Sequence, residues 1–216
     1  MAMKFDSRRT YPYYQPPREG NKILIVLDNP TWKEICLGRP AVCETGDNLG
    51  ILLWMLNNMN SDALNDYSGQ FVKNDVCIVN AITQCGDFEG VPIETLVKAH
   101  LINVIPLKAA AKVAELILVF GSIAKNVYKR IMATDNAKVI FLYHLSPKVV
   151  NRFNNVKSLN EWLGNELSMK PTFDDSYLRI AVFARFIVDC LSNIQLQSNF
   201  AMYSSAYTKS KHTKER

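Results

Sequence analysis

The stretch KILIVLD, residues 22–28, decides the fold, because it is a short run of branched apolar residues that ends in a carboxylate. Three later runs have the same character: DVCIVNA at 75–81, ELILVFG at 115–121 and KVIFLYH at 138–144. Continuous apolar runs of this length are typical of parallel strands that are buried on both faces of a sheet. The sequence therefore predicts four buried, mostly parallel strands.

Helical patterns separate and follow these runs. They lie at 46–59, at 93–114 with an interruption at Pro106, at 122–133, at 158–168 and at 174–196. Because strands and helices alternate, we predict an α/β fold of three layers, α/β/α, with a central four-stranded, mostly parallel sheet. A chain of 216 residues with 48% hydrophobic content suits one well-buried core.

The two ends of the chain differ in composition from this predicted core. Residues 1–21 carry three prolines beside several tyrosines, a composition that disfavours a helix, and we interpret them as an N-terminal extension. Residues 22–200 are predicted to form the α/β domain. The polar and basic residues 201–216 are predicted to form a flexible tail.

Composition also narrows the class of protein. No run approaches 18 apolar residues and no apolar stretch follows the first basic residues, so we expect no membrane span, no secretory signal and a cytoplasmic location. The five cysteines are scattered without a CxxC pair, which disfavours a disulfide framework and a zinc ribbon. The net charge of +5 mildly favours a polyanionic partner. We expect a monomer.

Polar side chains follow the carboxyl end of every predicted strand. They are Asp28 and Asn29 after the first run, Asn80 in the second, Ser122 after the third, and His144 and Ser146 at the fourth. In an open α/β sheet, ligands bind beyond the carboxyl ends of the strands. We therefore expect a carboxylate, two carboxamides, an imidazole and two hydroxyls to converge on one cleft.

These residues resemble the motifs of the uracil-DNA glycosylase superfamily, in the same order, over residues 22–153. LDNPT at 27–31 is similar to the strand-to-turn motif that opens the family's site. LGRPAVCETGDNLGILLWML at 37–56 is similar to the Gly-Arg-Pro-Phe-Val segment and helix of the thermostable iron–sulfur branch. VCIVNA at 76–81 resembles the strand whose Asn reads the base, and HLSP at 144–147 resembles the family's His-Pro-Ser-Pro motif.

The resemblance implies a monofunctional DNA glycosylase, which flips uracil or a modified base out of DNA and hydrolyses its N-glycosidic bond to leave an abasic site. That reaction builds positive charge on the sugar and negative charge on the departing base. Asp28 is implied to position water and offset the sugar's charge, and Asn29 to orient that water. His144 is implied to donate a hydrogen bond to the base, and Asn80 to pair with its edge.

Four residues are candidates for contacts with DNA phosphates. They are Ser122, Ser146, Lys148 and Arg152, because helix N-termini, hydroxyls and basic side chains favour anions. In the family, a Leu that wedges into the duplex often occupies the place of Lys148. The sequence therefore leaves open whether the DNA is single- or double-stranded.

Two departures from the family pattern bear on substrate and cofactor. Ala41 stands where the family has the Phe that stacks on the base, so we expect a pocket for a bulkier base, with Trp32 as a candidate stacking ring. The close cysteine pair of the iron–sulfur branch is absent, and Cys85 alone cannot hold a cluster. We expect no metal and no cofactor.

Other interpretations stay open. Each candidate side chain also has a structural interpretation, such as a loop cap for Asp28 or a helix cap for Ser122. The chain is alternatively a catalytically inactive glycosylase-like module that binds nucleic acid or a protein, or an unrelated nucleotide-handling α/β protein. The base that is excised, and a role in repair or in defence against foreign DNA, are not specified by the sequence.

Overall fold

A computed structural model describes residues 6–132, 137–169 and 173–192. Its five-stranded sheet has the order β1-β3-β2-β4-β5. The strands are β1 (Tyr14–Gln15), β2 (Ile23–Leu27), β3 (Cys77–Asn80), β4 (Leu116–Phe120) and β5 (Lys138–Leu142). Strands β2 to β5 pair in parallel, whereas β1 pairs with β3 in the antiparallel direction. The predicted α/β class is confirmed, and each of the four predicted runs contains a strand.

The sheet has one strand more than the sequence predicted, and that strand comes from the N-terminal segment. Tyr11 and Tyr14 exchange two backbone hydrogen bonds of 2.7 and 3.0 Å, which fold residues 11–14 into a tight turn. The Gln15 amide then donates to the carbonyl oxygens of Lys73 and Val76. Proline disfavours a helix here but is compatible with an edge strand, so the segment adds an edge strand to the sheet.

Eight α-helices and one 3₁₀ helix lie in the described ranges. They are α1 (Trp32–Leu37), α2 (Glu44–Asn58), the 3₁₀ helix Asp62–Tyr67, α3 (Ile93–Lys98), α4 (Val104–Ala111), α5 (Ser122–Ile131), α6 (Pro147–Val150), α7 (Leu159–Glu166) and α8 (Asp175–Leu191). The break expected at Pro106 lies at residues 99–103 instead. Pro106 occupies the first turn of α4, where a missing N–H removes no helical hydrogen bond.

Helices cover both faces of the sheet. Successive residues of a strand point to opposite faces, so Ile23, Ile25 and Leu27 join a core with α2, α7 and α8. Leu24 and Val26 join a second core with α4 and α5 on the other face. With both faces covered, the carboxyl edge of the parallel strands is the place where polar loops gather.

Some sequence predictions fall outside the described residues. The basic tail 201–216 lies outside them, as do position 133 and the last four residues of the helix predicted at 174–196. Within the part of the chain that the structure describes, no helix combines the length and apolarity needed to cross a membrane.

Candidate functional site at the carboxyl ends of the strands

Asp28 and His144 come together above the carboxyl end of β4. Asp28 directly follows β2, His144 lies two residues after β5, and β4 pairs with both strands. His144 Nε2 lies 3.9 Å from Asp28 Oδ2, and their side chains are 28% and 14% exposed. A carboxylate and an imidazole, both largely buried, thus meet at the carboxyl ends of the strands, as the sequence predicted.

The amino end of α5 holds the Asp28 carboxylate. The Ala124 N–H donates to Asp28 Oδ1 at 2.7 Å, and the N–H of Ile123 also donates to this carboxylate. Free N–H groups and the helix dipole stabilise a negative charge at this position. Burial nevertheless raises the pKa of Asp28, and the charge of Glu89 adds to the rise. Three interactions lower this pKa instead: the hydrogen bond from the Ala124 N–H, the charge of His144 and the hydrogen bond from the Ile123 N–H.

The tautomer of His144 follows from a hydrogen bond within its own loop. The backbone N–H of Ser146 donates to His144 Nδ1 at 3.0 Å, so Nδ1 is an acceptor. A neutral imidazole with Nδ1 as acceptor carries its proton on Nε2, the nitrogen that faces Asp28. Asn48 fixes the loop from α2 by donating to the Leu145 carbonyl oxygen at 2.8 Å. The loop therefore presents an N–H donor toward Asp28.

Asn29 connects two loops of the site. Its Nδ2 donates to the carbonyl oxygen of Gly86 at 3.0 Å, which joins the turn after β2 to the loop after β3. This second loop, residues 83–92, is called the 83–92 loop below. The predicted role of Asn29 in orienting water is untested, and the observed contact gives it a structural task as well.

Asn80 lies at the end of β3 but is enclosed. Its side chain is 1% exposed, and its Nδ2 donates to the Pro12 carbonyl oxygen at 3.2 Å. Among the described residues, no hydrogen-bond partner reaches its buried Oδ1. A buried acceptor without a partner costs about 1–3 kcal/mol. The predicted base-reading amide is therefore covered by the N-terminal segment in this conformation.

The two candidates for contact with the base lie in different surroundings. Ala41 is buried at φ 55° in a turn, where its N–H donates to the buried Glu34 carboxylate. A methyl group in this turn offers no stacking surface. Trp32, the first residue of α1, is 69% exposed, four positions after Asp28.

The predicted phosphate contacts lie around α5 and α6. Ser122 is the exposed first residue of α5, after Gly121 as the N-cap, and Ser146 is the N-cap of α6 without a side-chain capping bond. Lys148 and Arg152 are exposed within and just after α6. Since Asp28 already takes the N–H groups of Ile123 and Ala124, these two donors are not free to bind a phosphate at Ser122.

Two residues of the 83–92 loop escaped the sequence prediction. Phe88 packs against the core beside α5, and Glu89 is close enough to Asp28 to raise the pKa of that carboxyl. The only local signal is GDFEG at 86–90, which sets one aromatic residue between two glycines in a polar loop. That pattern does not reveal which strand end the loop will cover.

Comparison with protein-family models gives no match, and comparison with curated proteins gives none either. Within residues 6–132, 137–169 and 173–192, no group of three or more His, Cys, Asp or Glu side chains is arranged to hold a metal ion. Cys85 is an exposed free thiol. The geometry of Asp28 and His144 is therefore the main basis for a functional proposal.

Proposed function

We propose that this protein is a DNA glycosylase, which hydrolyses the N-glycosidic bond of uracil or of a bulkier modified base and leaves an abasic site. The observation that carries the proposal is the approach of His144 Nε2 to Asp28 Oδ2 at 3.9 Å, at the carboxyl ends of parallel strands. Helices on both faces of the sheet are compatible with the three-layer arrangement of the superfamily that the motifs resemble.

The pair suits the charges of glycoside hydrolysis. The Asp28 carboxylate offsets the positive charge of an oxocarbenium-like sugar, and its raised pKa makes it a better acceptor for a proton of the attacking water. The Nε2–H of His144 donates to the base oxygen on which negative charge accumulates. At 3.9 Å the two groups are beyond hydrogen-bond distance, so neither is the hydrogen-bond partner of the other.

DNA is the proposed polymer, and α6 is the proposed contact for its backbone. Lys148 and Arg152 place two exposed positive charges next to the loop of His144. Such charges hold phosphates without regard to sequence while a base is turned out. We propose further that the protein acts as a monomer in the cytoplasm, on cellular or foreign DNA.

The decisive experiment is a base-release assay. Single- and double-stranded oligonucleotides that carry uracil, hypoxanthine or modified cytosines are incubated with the protein, and abasic sites are then cleaved with alkali. We expect strand breaks at one class of base. The Asp28→Asn, His144→Ala double variant is the control for a contaminating glycosylase, and breaks that persist with this variant would refute the assignment.

A second candidate function is a glycosylase-like module that binds nucleic acid or a protein without catalysis. The enclosure of Asn80 favours it, because a 1% exposed amide cannot read a base until the segment around Pro12 moves. Ala41 in place of a stacking ring favours it too. Salt-sensitive DNA binding without strand breaks on any base of the panel would support this alternative.

A further inference from the structure

A cleft of about 290 Å³ lies between the 83–92 loop and the first turns of α5. It is lined by Phe88, Val91, Pro92, Ser122, Ile123 and Asn126, among others. One side is aromatic and apolar, and the other carries the hydroxyl of Ser122 and the carboxamide of Asn126. This combination of an apolar wall with a few polar groups is typical of small-ligand sites.

The cleft borders the turn of α5 that holds the Asp28 carboxylate. Ser122 and Ile123 line it from the first turn of α5, and the same turn donates N–H groups to the Asp28 carboxylate. Glu89, the neighbour of Phe88 in sequence, acts on Asp28 through its charge. A ligand that fills the cleft therefore lies next to the turn of α5 that binds Asp28.

Contacts within the protein fix the position of Phe88. Asn29 binds the Gly86 carbonyl oxygen, and the N–H of Thr83 donates to Leu101 at 2.9 Å. A Cβ added to Gly86 would lie 3.0 Å from the Phe88 ring, so the ring packs against the loop backbone. The Phe88 ring is only partly buried, and it lines the cleft.

We propose that this cleft receives the extruded base, and that Phe88 supplies the stacking surface that Ala41 does not provide. The inference rests on the proposed function and names its base subsite. A planar base fits between a ring on one side and a helical turn on the other. The carboxamide of Asn126 is both donor and acceptor, so it can pair with the edge of a base. The volume of about 290 Å³ accommodates one purine or substituted pyrimidine.

The test uses DNA in which 2-aminopurine, whose fluorescence rises when it is unstacked from its neighbours, occupies the target position. The fluorescence reports capture of the base and does not depend on cleavage of the N-glycosidic bond. Phe88→Ala is expected to weaken binding of this DNA about tenfold, as for the loss of one base–aromatic stack, and to change the fluorescence of the bound probe. Phe88→Tyr keeps a ring and is expected to bind like the wild type.

A second pair of variants does not depend on Phe88. Asn126 is exposed on α5 and lines the cleft, so Asn126→Trp fills the space without removing a core contact. Asn126→Trp is expected to abolish the probe signal, whereas Asn126→Ala, which keeps the cleft open but loses the carboxamide, is expected to weaken it by less. Trp54→Ala, which removes an exposed ring from α2, is the aromatic control and is expected to change neither readout.

The outcomes separate this inference from the proposed function. Folded Phe88→Ala and Asn126→Trp variants that capture the probe like the wild type overturn the inference, even if the wild type releases bases from DNA. A loss of capture in Trp32→Ala, with none in Phe88→Ala, overturns it too and assigns the stacking to Trp32. A third outcome is that probe capture depends on Phe88 but the protein releases no base. That outcome supports the cleft as the base subsite and refutes the proposed glycosylase activity.

Discussion

Gly121 leaves room for the Asp28 carboxylate. A Cβ at position 121 would lie 2.3 Å from Asp28 Oδ2 and 2.4 Å from Oδ1, closer than any real contact. Gly121 also has φ 102° and ψ 167°, a conformation that is essentially restricted to glycine. Both observations give the same reason for a glycine between β4 and α5: it allows Asp28 to reach the N–H of Ala124.

Gly121→Ala is therefore expected to damage both stability and function. Its methyl group would displace the Asp28 carboxylate, and the backbone strain alone costs on the order of 1–3 kcal/mol. We expect a fall of more than this in the free energy of unfolding, measured with urea. On the proposed activity, we expect a loss of about a hundredfold or more in single-turnover rate.

Gly69→Ala is the matched control for this substitution. Gly69 also has a positive φ, 74°, but a Cβ there would meet no atom within 4 Å, and the residue lies far along the chain from the site. It is expected to cost about 1–2 kcal/mol from strain and to leave the rate unchanged. Equal losses of stability in the two variants would show that the contact with Asp28 has no energetic consequence.

The second expectation concerns the proposed catalytic pair, Asp28 and His144. Asp28→Asn and His144→Ala are each expected to lower the single-turnover rate by about a hundredfold or more, because both groups meet charge that exists only in the transition state. Their DNA affinity is expected to stay within about threefold of the wild type, because the proposal assigns neither residue a contact with the phosphate backbone. Quench-flow kinetics and fluorescence anisotropy measure the two quantities.

Asp66→Asn, a change of an exposed carboxylate in the 3₁₀ helix, is the control and is expected to leave both quantities unchanged. A full rate in Asp28→Asn would move the water-directing role to Asn29 or elsewhere. A loss of affinity as large as the loss of rate would mean that the pair binds the ground state and the transition state equally.

The sequence predicts the main strands and the meeting of Asp28 with His144, for a simple physical reason. Buried parallel strands require long apolar runs, and parallel strands place their carboxyl ends at one edge. Residues that directly follow such runs must therefore lie close together. This argument needs no knowledge of side-chain packing, and so it could be made from the amino-acid order alone.

The features that the sequence did not reveal depend on contacts between distant parts of the chain. β1 has two residues, and it exists because Tyr14 pairs with Val79 in β3, 65 positions later. The cover of Asn80 by Pro12 has the same origin. The occupation of the α5 N-terminus by Asp28 removes donors that were predicted for phosphate, and no local pattern around Ser122 indicates it.

The third expectation concerns the proposed DNA-binding surface. Lys148→Ala is expected to weaken DNA binding uniformly across base sequences, and to reduce the slope of log K against log salt concentration by about one. Its effect on the single-turnover rate of bound DNA is expected to be small, because a phosphate contact stabilises substrate and transition state alike. Titrations at several salt concentrations provide the slope.

Lys112→Ala provides the comparison for Lys148. Lys112 is an exposed lysine at the end of α4 and precedes β4, so it lies toward the opposite edge of the sheet from Asp28. Removal of this charge lowers the net charge by the same amount and is expected to leave the salt slope unchanged. If both variants lose the same affinity, the net charge of the protein, rather than a localised surface, governs binding.

The last expectation follows from the pKa of Asp28, which burial raises above its ordinary value of 3.8. The carboxyl group then holds its proton more tightly in the folded than in the unfolded chain. Its contribution to stability is fully present below pH 3.8 and is lost as the pH rises through the raised pKa of the folded protein. Above that raised pKa the folded protein therefore bears the cost of a buried charge.

Asp28→Asn removes that cost, because asparagine is neutral at every pH and its Oδ1 can still accept the Ala124 N–H. The variant is expected to have a higher free energy of unfolding than the wild type at pH 7, and the difference is expected to shrink as the pH falls toward 4. Urea denaturation at several pH values between 4 and 8 measures it. The opposite trend is an increase in the free energy of unfolding of the wild type relative to the variant as the pH rises. It would mean that the N–H groups of α5 and the charge of His144 stabilise the carboxylate by more than burial destabilises it. Asp28 would then be a stabilising helix cap rather than a carboxylate kept at a cost to stability.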